Sequence, residues 1–310
     1  CPDRGLLLLT GWSNTYPTGL GALGKKKMKL LGKLFWSSRP ISWVNTAFPF
    51  AAAYFFTTGK IDWVLILGSI FFLIPYNLLM YGVNDVFDYE SDMRNPRKGG
   101  IEGALLDPKF HRPTLFASFG MALPPAMALS FVNPTATAIL WFVLFMVVAY
   151  SLKGLRFKEI PFLDSLTSAI HFVGPAAVGL AMAEAELEGE ITLAMVAFLI
   201  WGMASHAFGA VQDVRADREA GIKSIATAIG ARATTRLAFI GYLVAAALTL
   251  TLPDRFAFSA LAAVPYLFVT LREWNIEDSN CERANRGWKL FIGLNFLAGA
   301  IISSLLIGPS

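Results

Sequence analysis

The chain has 310 residues, of which 55% are hydrophobic and only 15% charged, and its mean hydropathy is +0.54. A soluble domain carries about 25% charged residues, so this composition excludes a water-covered globule, and it equally excludes a disordered or collagen-like chain. Two cysteines, Cys1 and Cys281, exclude a disulfide framework and a cysteine metal site. The net charge of +4 matters less than where the positive charges lie, and no nucleic acid is expected as a partner. The fold class is an all-α polytopic membrane protein.

Residues 1–34 read as an N-terminal extension. They are either sequence upstream of a start at Met28 or a basic arm, with Lys25, Lys26 and Lys27, lying on anionic lipid. The transmembrane domain then runs over 35–310. Uncharged stretches place its helices, because a hydrocarbon core needs about 20 apolar residues. Pro40–Gly59 and Trp63–Val83 are the first two. Pro113–Leu152 has no charge at all, and Asn133-Pro134 at its middle breaks it into a hairpin of two spans. Ser165–Ala183, Ile191–Gln212, Leu237–Pro253, Phe256–Leu271 and Leu290–Gly308 complete a set of nine. With nine spans, 24 of the 26 Lys and Arg residues share one side, and Lys60 and Arg255 are left on the other. Basic loops stay in the cytoplasm, so the N-terminus is expected to be cytoplasmic and the protein to sit in the cell membrane.

The chemical signal lies where two spans end. The second span runs into Asn84-Asp85-Val86-Phe87-Asp88-Tyr89-Glu90-Ser91-Asp92. At about 100° per residue, Asn84, Asp88 and Asp92 stay within about 80° of one another on a helix. The sixth runs into Gln212-Asp213-Val214-Arg215-Ala216-Asp217, where Asp213 and Asp217 again lie one turn apart. Charges at helix ends often merely mark the membrane interface. Two spaced clusters on one side, each closing a long apolar span, point instead to a site, since stacked carboxylates repel one another unless they have work or partners. Asp and Asn supply hard oxygen ligands, and no Cys or His stands nearby. The ion that suits such a set is Mg²⁺ with a bound phosphate. A diphosphate held by Mg²⁺ and by Lys or Arg becomes a good leaving group. The basic candidates are Arg39, Arg94, Arg97, Lys98, Lys153, Arg156, Arg215 and Lys223. His171 and His206 stand singly inside spans and read as packing or polar contacts. Asp164 reads either as an orienting group for a base such as Lys153 or as an interface charge.

These residues resemble the UbiA-type intramembrane prenyltransferases, whose hallmark is N-D-x-x-D-x-x-x-D after the second helix and D-x-x-x-D after the sixth in a nine-helix bundle. Here they stand as Asn84-Asp85-x-x-Asp88-x-x-x-Asp92 and Asp213-x-x-x-Asp217. Arg39-Pro40, Tyr150-Ser151-x-Lys153 and Asp217-Arg218-x-x-Gly221 before Ser224-Ile225-Ala226-Thr227 are similar too. Within that family the chain is most similar to the lycopene elongases of actinobacteria, through Ser37–Ala47, Asn84–Gly100 and Trp201-Gly202-Met203-Ala204-Ser205.

The resemblance implies a UbiA-like bundle and Mg²⁺-dependent transfer of a prenyl group from dimethylallyl diphosphate to the ends of lycopene, giving acyclic C45 and C50 carotenoids. Asn84, Asp88, Asp92, Asp213 and Asp217 would be the catalytic, metal-holding residues. Arg39, Arg94, Lys153 and Arg156 would grip the diphosphate, with Asp85 beside them. Carotenoid-pathway enzymes are candidate partners. The alternatives are another lipophilic acceptor, a quinone precursor or chlorophyllide, and more remotely an ion-coupled transporter. Arg97-Lys98-Gly99-Gly100 stands where members acting on quinone precursors carry an Arg-Pro-Leu-like segment, which argues against an aromatic acceptor.

Overall fold

The computed structural model describes residues 30–93 and 105–307. Nearly all of the 1–34 extension, together with Arg94, Arg97 and Lys98, lies outside the described residues. The fold is helical: α1 (Val44–Thr58), α2 (Trp63–Phe87), α3 (Tyr89–Asp92), α4 (His111–Leu129), α5 (Pro134–Ser151), α6 (Leu163–Met182), α7 (Gly189–Val211), α8 (Val214–Ala220), α9 (Ile225–Ile229), α10 (Ala231–Leu250), α11 (Val264–Arg272) and α12 (Ala284–Ile307).

Among the described residues, seven segments are long and apolar enough to cross a membrane: α2, α5, α6, α7, α10, Asp254–Arg272 and Asp278–Ile307. The other two expected spans correspond to α1 and α4. Helix α1 has 15 residues, about 22 Å at 1.5 Å per residue, and a 3₁₀ turn over Pro40–Ser42 precedes it. Helix α4 has 19 residues but carries His111 and Arg112 in its first turn and Pro124 and Pro125 inside. The hairpin break falls where Asn133 places it: its side chain accepts from the Ala136 N–H at 2.7 Å and caps α5.

Several boundaries differ from those that uncharged stretches give. Helix α10 starts at Ala231 rather than Leu237, and α12 at Ala284 rather than Leu290. Charged residues in a first turn do not stop a helix when their heads find partners. Arg232 pairs with Glu277 at 2.6 Å, and Arg236 lies over the Trp274 ring at 4.9 Å.

Two apolar cores divide the bundle. One is built by α1, α2, α4, α5 and α6 around Phe50, Phe71, Phe72 and Tyr76. The other is built by α7 and α10–α12 around Phe208, Tyr242, Tyr266 and Phe291. Small residues bring the backbones close, as helix packing in lipid requires. A Cβ at Gly68 would lie 2.1 Å from the Phe50 ring, and one at Gly179 would lie 2.7 Å from the Phe50 carbonyl. The Phe50 ring therefore fills space that Gly68 leaves open, and Gly179 lets α6 approach the α1 backbone.

The kink in α2 aims its end. Pro75 lacks an N–H and interrupts the ladder at Ile74 (φ −117°, ψ −60°). The carbonyls this loosens are taken up by side chains. Thr46 Oγ1 donates to Phe72 O at 2.6 Å, and Asn77 Nδ2 donates to Phe72 O at 2.9 Å and Leu73 O at 3.0 Å. A broken helix is tolerated at membrane depth when its freed backbone groups are satisfied in this way.

Candidate active site

Below the kink, α2 carries Asn84 and Asp85, Asp88 caps it, and α3 continues the same winding to Asp92. The Asp88 N–H donates to Asn84 O at 2.9 Å and the Asp92 N–H to Asp88 O at 2.8 Å, so the stripe of Asn84, Asp88 and Asp92 survives the junction. Asp88 is 4% and Asp92 7% exposed. Burying carboxylates is costly without partners, and here cations supply them. Lys158 pairs with Asp88 Oδ1, and Arg156 stands 3.7 Å from the same oxygen. Asp88 Oδ2 accepts from Asn84 Nδ2 at 2.6 Å, and that amide also donates to Ser151 Oγ at 2.9 Å. The end of α5 is thereby tied to the first motif.

Asp85 faces a different neighbour. It is 1% exposed, accepts from Ser37 Oγ at 2.6 Å and pairs with Arg39 at 3.1 Å. The Arg39 guanidinium also covers the Tyr81 ring at 4.1 Å, and its backbone is held at φ 50°. Burial works against the Arg39 charge, yet Asp85, Tyr81 and Asp92 outweigh it and lift its pKa above the ordinary guanidinium value. Arg39 Nε is buried with no hydrogen-bond partner among the described residues. Asp85 thus anchors Arg39 rather than joining the stripe, and the Tyr81 ring faces Arg39.

Arg156 is held from behind. Glu159 pairs with it in the loop that joins α5 to α6, and Arg156 adopts φ 42° there. That hydrogen bond is the chief cause of the raised Arg156 pKa, and in turn it holds the Glu159 carboxyl below its usual range.

The second motif sits at the junction of α7 and α8. Asp213 stands at the N-cap position of α8, and the Asp217 N–H donates to its carbonyl at 2.8 Å, so the pair stays one turn apart. The motif's own arginines turn elsewhere: Arg215 pairs with Glu282 and Arg218 with Asp278. Gln212 accepts from Asn285 Nδ2 at 2.6 Å, which fixes the end of α7 against α12. Asp164 bridges the halves. It is fully buried, and its two oxygens accept the N–H groups of Ser165 and Ile225, each at 2.7 Å. It is therefore neither an interface charge nor a partner of Lys153; it caps α9, the helix that follows the second motif. His206 links Tyr150 and Ser165, at 3.1 Å to each.

Of the sequence-predicted residues, the structure gathers Asn84, Asp88 and Arg156 into one network and Asp85 and Arg39 into a second beside it. It leaves Lys153 and Lys223 exposed and turns Arg215 outward. Lys158 and Ser151 belong to the first of these and Ser37 to the second. Lys158 is not singled out by the sequence, and the two serines stand there only within family-like stretches, with no role given. Nothing in their spacing marks them, because each meets α2 from another segment.

The donor sets suit a hard divalent ion that shares its shell with a phosphate. Among the described residues no three His, Cys, Asp or Glu side chains gather into a metal-binding group. What each motif offers is a pair of carboxylates, joined in the first by the Asn84 amide. Mg²⁺ usually takes one or two carboxylates and completes its shell with water and substrate phosphates, so the sets fit Mg²⁺ and not a closed, all-protein metal site.

The fold and its relatives agree. Residues 46–296 match the model of the UbiA prenyltransferase family. The chain is 53% identical to the C(50) beta-cyclic carotenoids biosynthesis protein LbtBC of Dietzia sp. over 90% of its own length, and spans 65% of that longer relative. It is 50% identical to a lycopene elongase/hydratase of Corynebacterium glutamicum, covering 90% of this chain and 98% of that one. Among solved structures, a UbiA homolog from Archaeoglobus fulgidus bound to DMAPP and Mg²⁺ superimposes with a TM-score of 0.65. It is 18% identical, over 86% of this chain and 99% of its own. With four-fifths of its length inside the family model and relatives of that identity along nearly its whole length, the chain belongs to the UbiA prenyltransferase family.

Proposed function

We propose that the protein is a nine-span enzyme of the cell membrane, with its N-terminus and active site on the cytoplasmic side, that transfers a dimethylallyl group from dimethylallyl diphosphate to the ends of lycopene. The observation that carries a diphosphate site is the cluster of Arg39, Arg156 and Lys158 around the buried carboxylates that close α2. The acceptor rests on the Corynebacterium glutamicum relative, which matches along 98% of its length and is a lycopene elongase/hydratase. The donor draws support from the Archaeoglobus fulgidus homolog of the same fold, which binds DMAPP with Mg²⁺.

Asn84, Asp88 and Asp92 would hold one Mg²⁺, and Asp213 and Asp217 a second. When bound, the ions neutralise charge that develops on the leaving diphosphate. Arg39 and Arg156 bind its oxygens, and the orphaned Arg39 Nε is a donor ready for one of them. Asp85 and Glu159 aim these two guanidinium groups. Breaking the C–O bond of the donor leaves an allylic cation, and the terminal double bond of lycopene attacks it to form the new C–C bond. The tertiary cation that results ends either by losing a proton to give an alkene or by taking up water and releasing a proton to give an alcohol. The apolar bundle keeps bulk water from the cation.

Expression in a lycopene-producing host, followed by chromatography of the pigments, tests the reading. New C45 and C50 species are expected. Unaltered lycopene alongside magnesium-dependent release of diphosphate from the purified enzyme would point to another acceptor, and no release at all would remove the enzyme assignment.

A further inference from the structure

The carboxylate that the proposed site most needs for its metal already has a cation on it. Lys158 Nζ pairs with Asp88 Oδ1, and the Lys158 side chain is 15% exposed. The other oxygen of Asp88 is occupied by the amide nitrogen of Asn84. Arg156, the second cation near Oδ1, is fastened by Glu159 and by a hydrogen bond to Phe87 O at 3.5 Å. Lys158 reaches the same oxygen on a flexible stem as a compact point charge, the kind of group that changes partner readily. A divalent ion on Asp88 has to displace that ammonium. A displaced, mostly buried ammonium without an anion is costly, so metal alone binds against a penalty. A diphosphate removes the penalty, because its oxygens accept the lysine as the metal takes the carboxylate.

We infer that Lys158 is a displaceable counter-ion that holds the first metal site closed until a diphosphate arrives, so that metal and diphosphate bind cooperatively. Lys158 is a positioning residue in this scheme, and the inference rests on the reading of Asp88 as a metal ligand. It accounts for a feature that reading leaves unexplained, namely why a lysine outside either motif sits directly on the central carboxylate.

The test is Mn²⁺ binding to the full chain purified in detergent, followed by electron paramagnetic resonance without any diphosphate. Lys158→Met should bind Mn²⁺ at least tenfold more tightly than wild type, and Lys158→Arg should stay within about threefold of it. Lys158→Gln serves as a second neutral variant should the methionine protein fail to purify as a single species. Binding of a radiolabelled thiolodiphosphate analogue of the donor supplies the other arm. Mg²⁺ should raise its affinity at least tenfold more in wild type than in the neutral variants, where only direct coordination of the diphosphate by the ion couples the two. Neutral variants that bind Mn²⁺ at the first site no more tightly than wild type overturn the counter-ion role, provided Asp88→Asn removes one of the bound ions and leaves the one assigned to Asp213 and Asp217. If Asp88→Asn binds Mn²⁺ as wild type does, the metal assignment itself falls, and the inference falls with it.

Discussion

The two halves of the bundle carry similar motifs and treat them differently. In the N-terminal half, cations from other segments turn inward onto the acidic motif: Arg39 onto Asp85, and Arg156 and Lys158 onto Asp88. In the C-terminal half, the arginines inside the motif turn outward to Glu282 and Asp278, which lie just before α12. The first arrangement collects positive charge where an anion would be handled, and the second spends it on holding helices together. A D-x-x-x-D spacing alone does not distinguish these fates. Under the function proposed above, the contrast would place the grip on the diphosphate in the first half.

The sharpest way to break this comparison is to neutralise one carboxylate in each half. Asp88→Asn and Asp213→Asn should each lower turnover by about 10²–10³-fold while the protein remains membrane-inserted. A normal rate in the Asp213 variant would confine the site to the first half. Next in size is the anchor of Arg39. Asp85→Ala leaves a buried guanidinium without its anion and should cost about 3 kcal/mol, read as a lower midpoint of thermal unfolding in detergent. Asp85→Asn, which keeps an acceptor oxygen, should cost less.

The arginines then separate the halves directly. Arg156→Ala should raise the KM for dimethylallyl diphosphate about tenfold, equivalent to about 1.4 kcal/mol. Arg218→Ala should leave KM unchanged and cost less than about 1 kcal/mol of stability, since its partner pair is exposed. Equal KM effects would erase the distinction.

The smallest effect concerns acid. Glu159 is held below its usual carboxyl range by its hydrogen bond from Arg156. Its contribution is therefore complete above the unfolded carboxyl value of about 4.3 and is lost as pH falls through the lower folded value. Limited proteolysis of the loop between α5 and α6 should quicken below that range in the wild type. In Glu159→Gln it should already be fast at neutral pH.

Much of this was legible along the chain. Apolar runs marked the seven candidate spans found among the described residues, because burial in lipid is a local demand on about 20 consecutive residues, and Asn133-Pro134 marked the hairpin because a capping side chain and a missing N–H act within one turn. The start of α10 was not legible, because Arg232 and Arg236 are tolerated through partners in another segment. Asp164 misled for the same reason: its role as a cap on α9 depends on Ile225, which meets it only in the folded bundle.

By itself the sequence determined the helical membrane class, the two acidic clusters and the oxygen-rich chemistry they allow, since composition and helical periodicity are properties of short stretches. Only the tertiary structure decided which cations serve those clusters, that Asp85 holds Arg39 while Lys158 sits on Asp88, and that Arg215 and Arg218 face away. Each of those choices is an ion pair between distant segments. Its partner is set by how the kinked α2 and the loop after α5 meet, and no local pattern encodes that meeting.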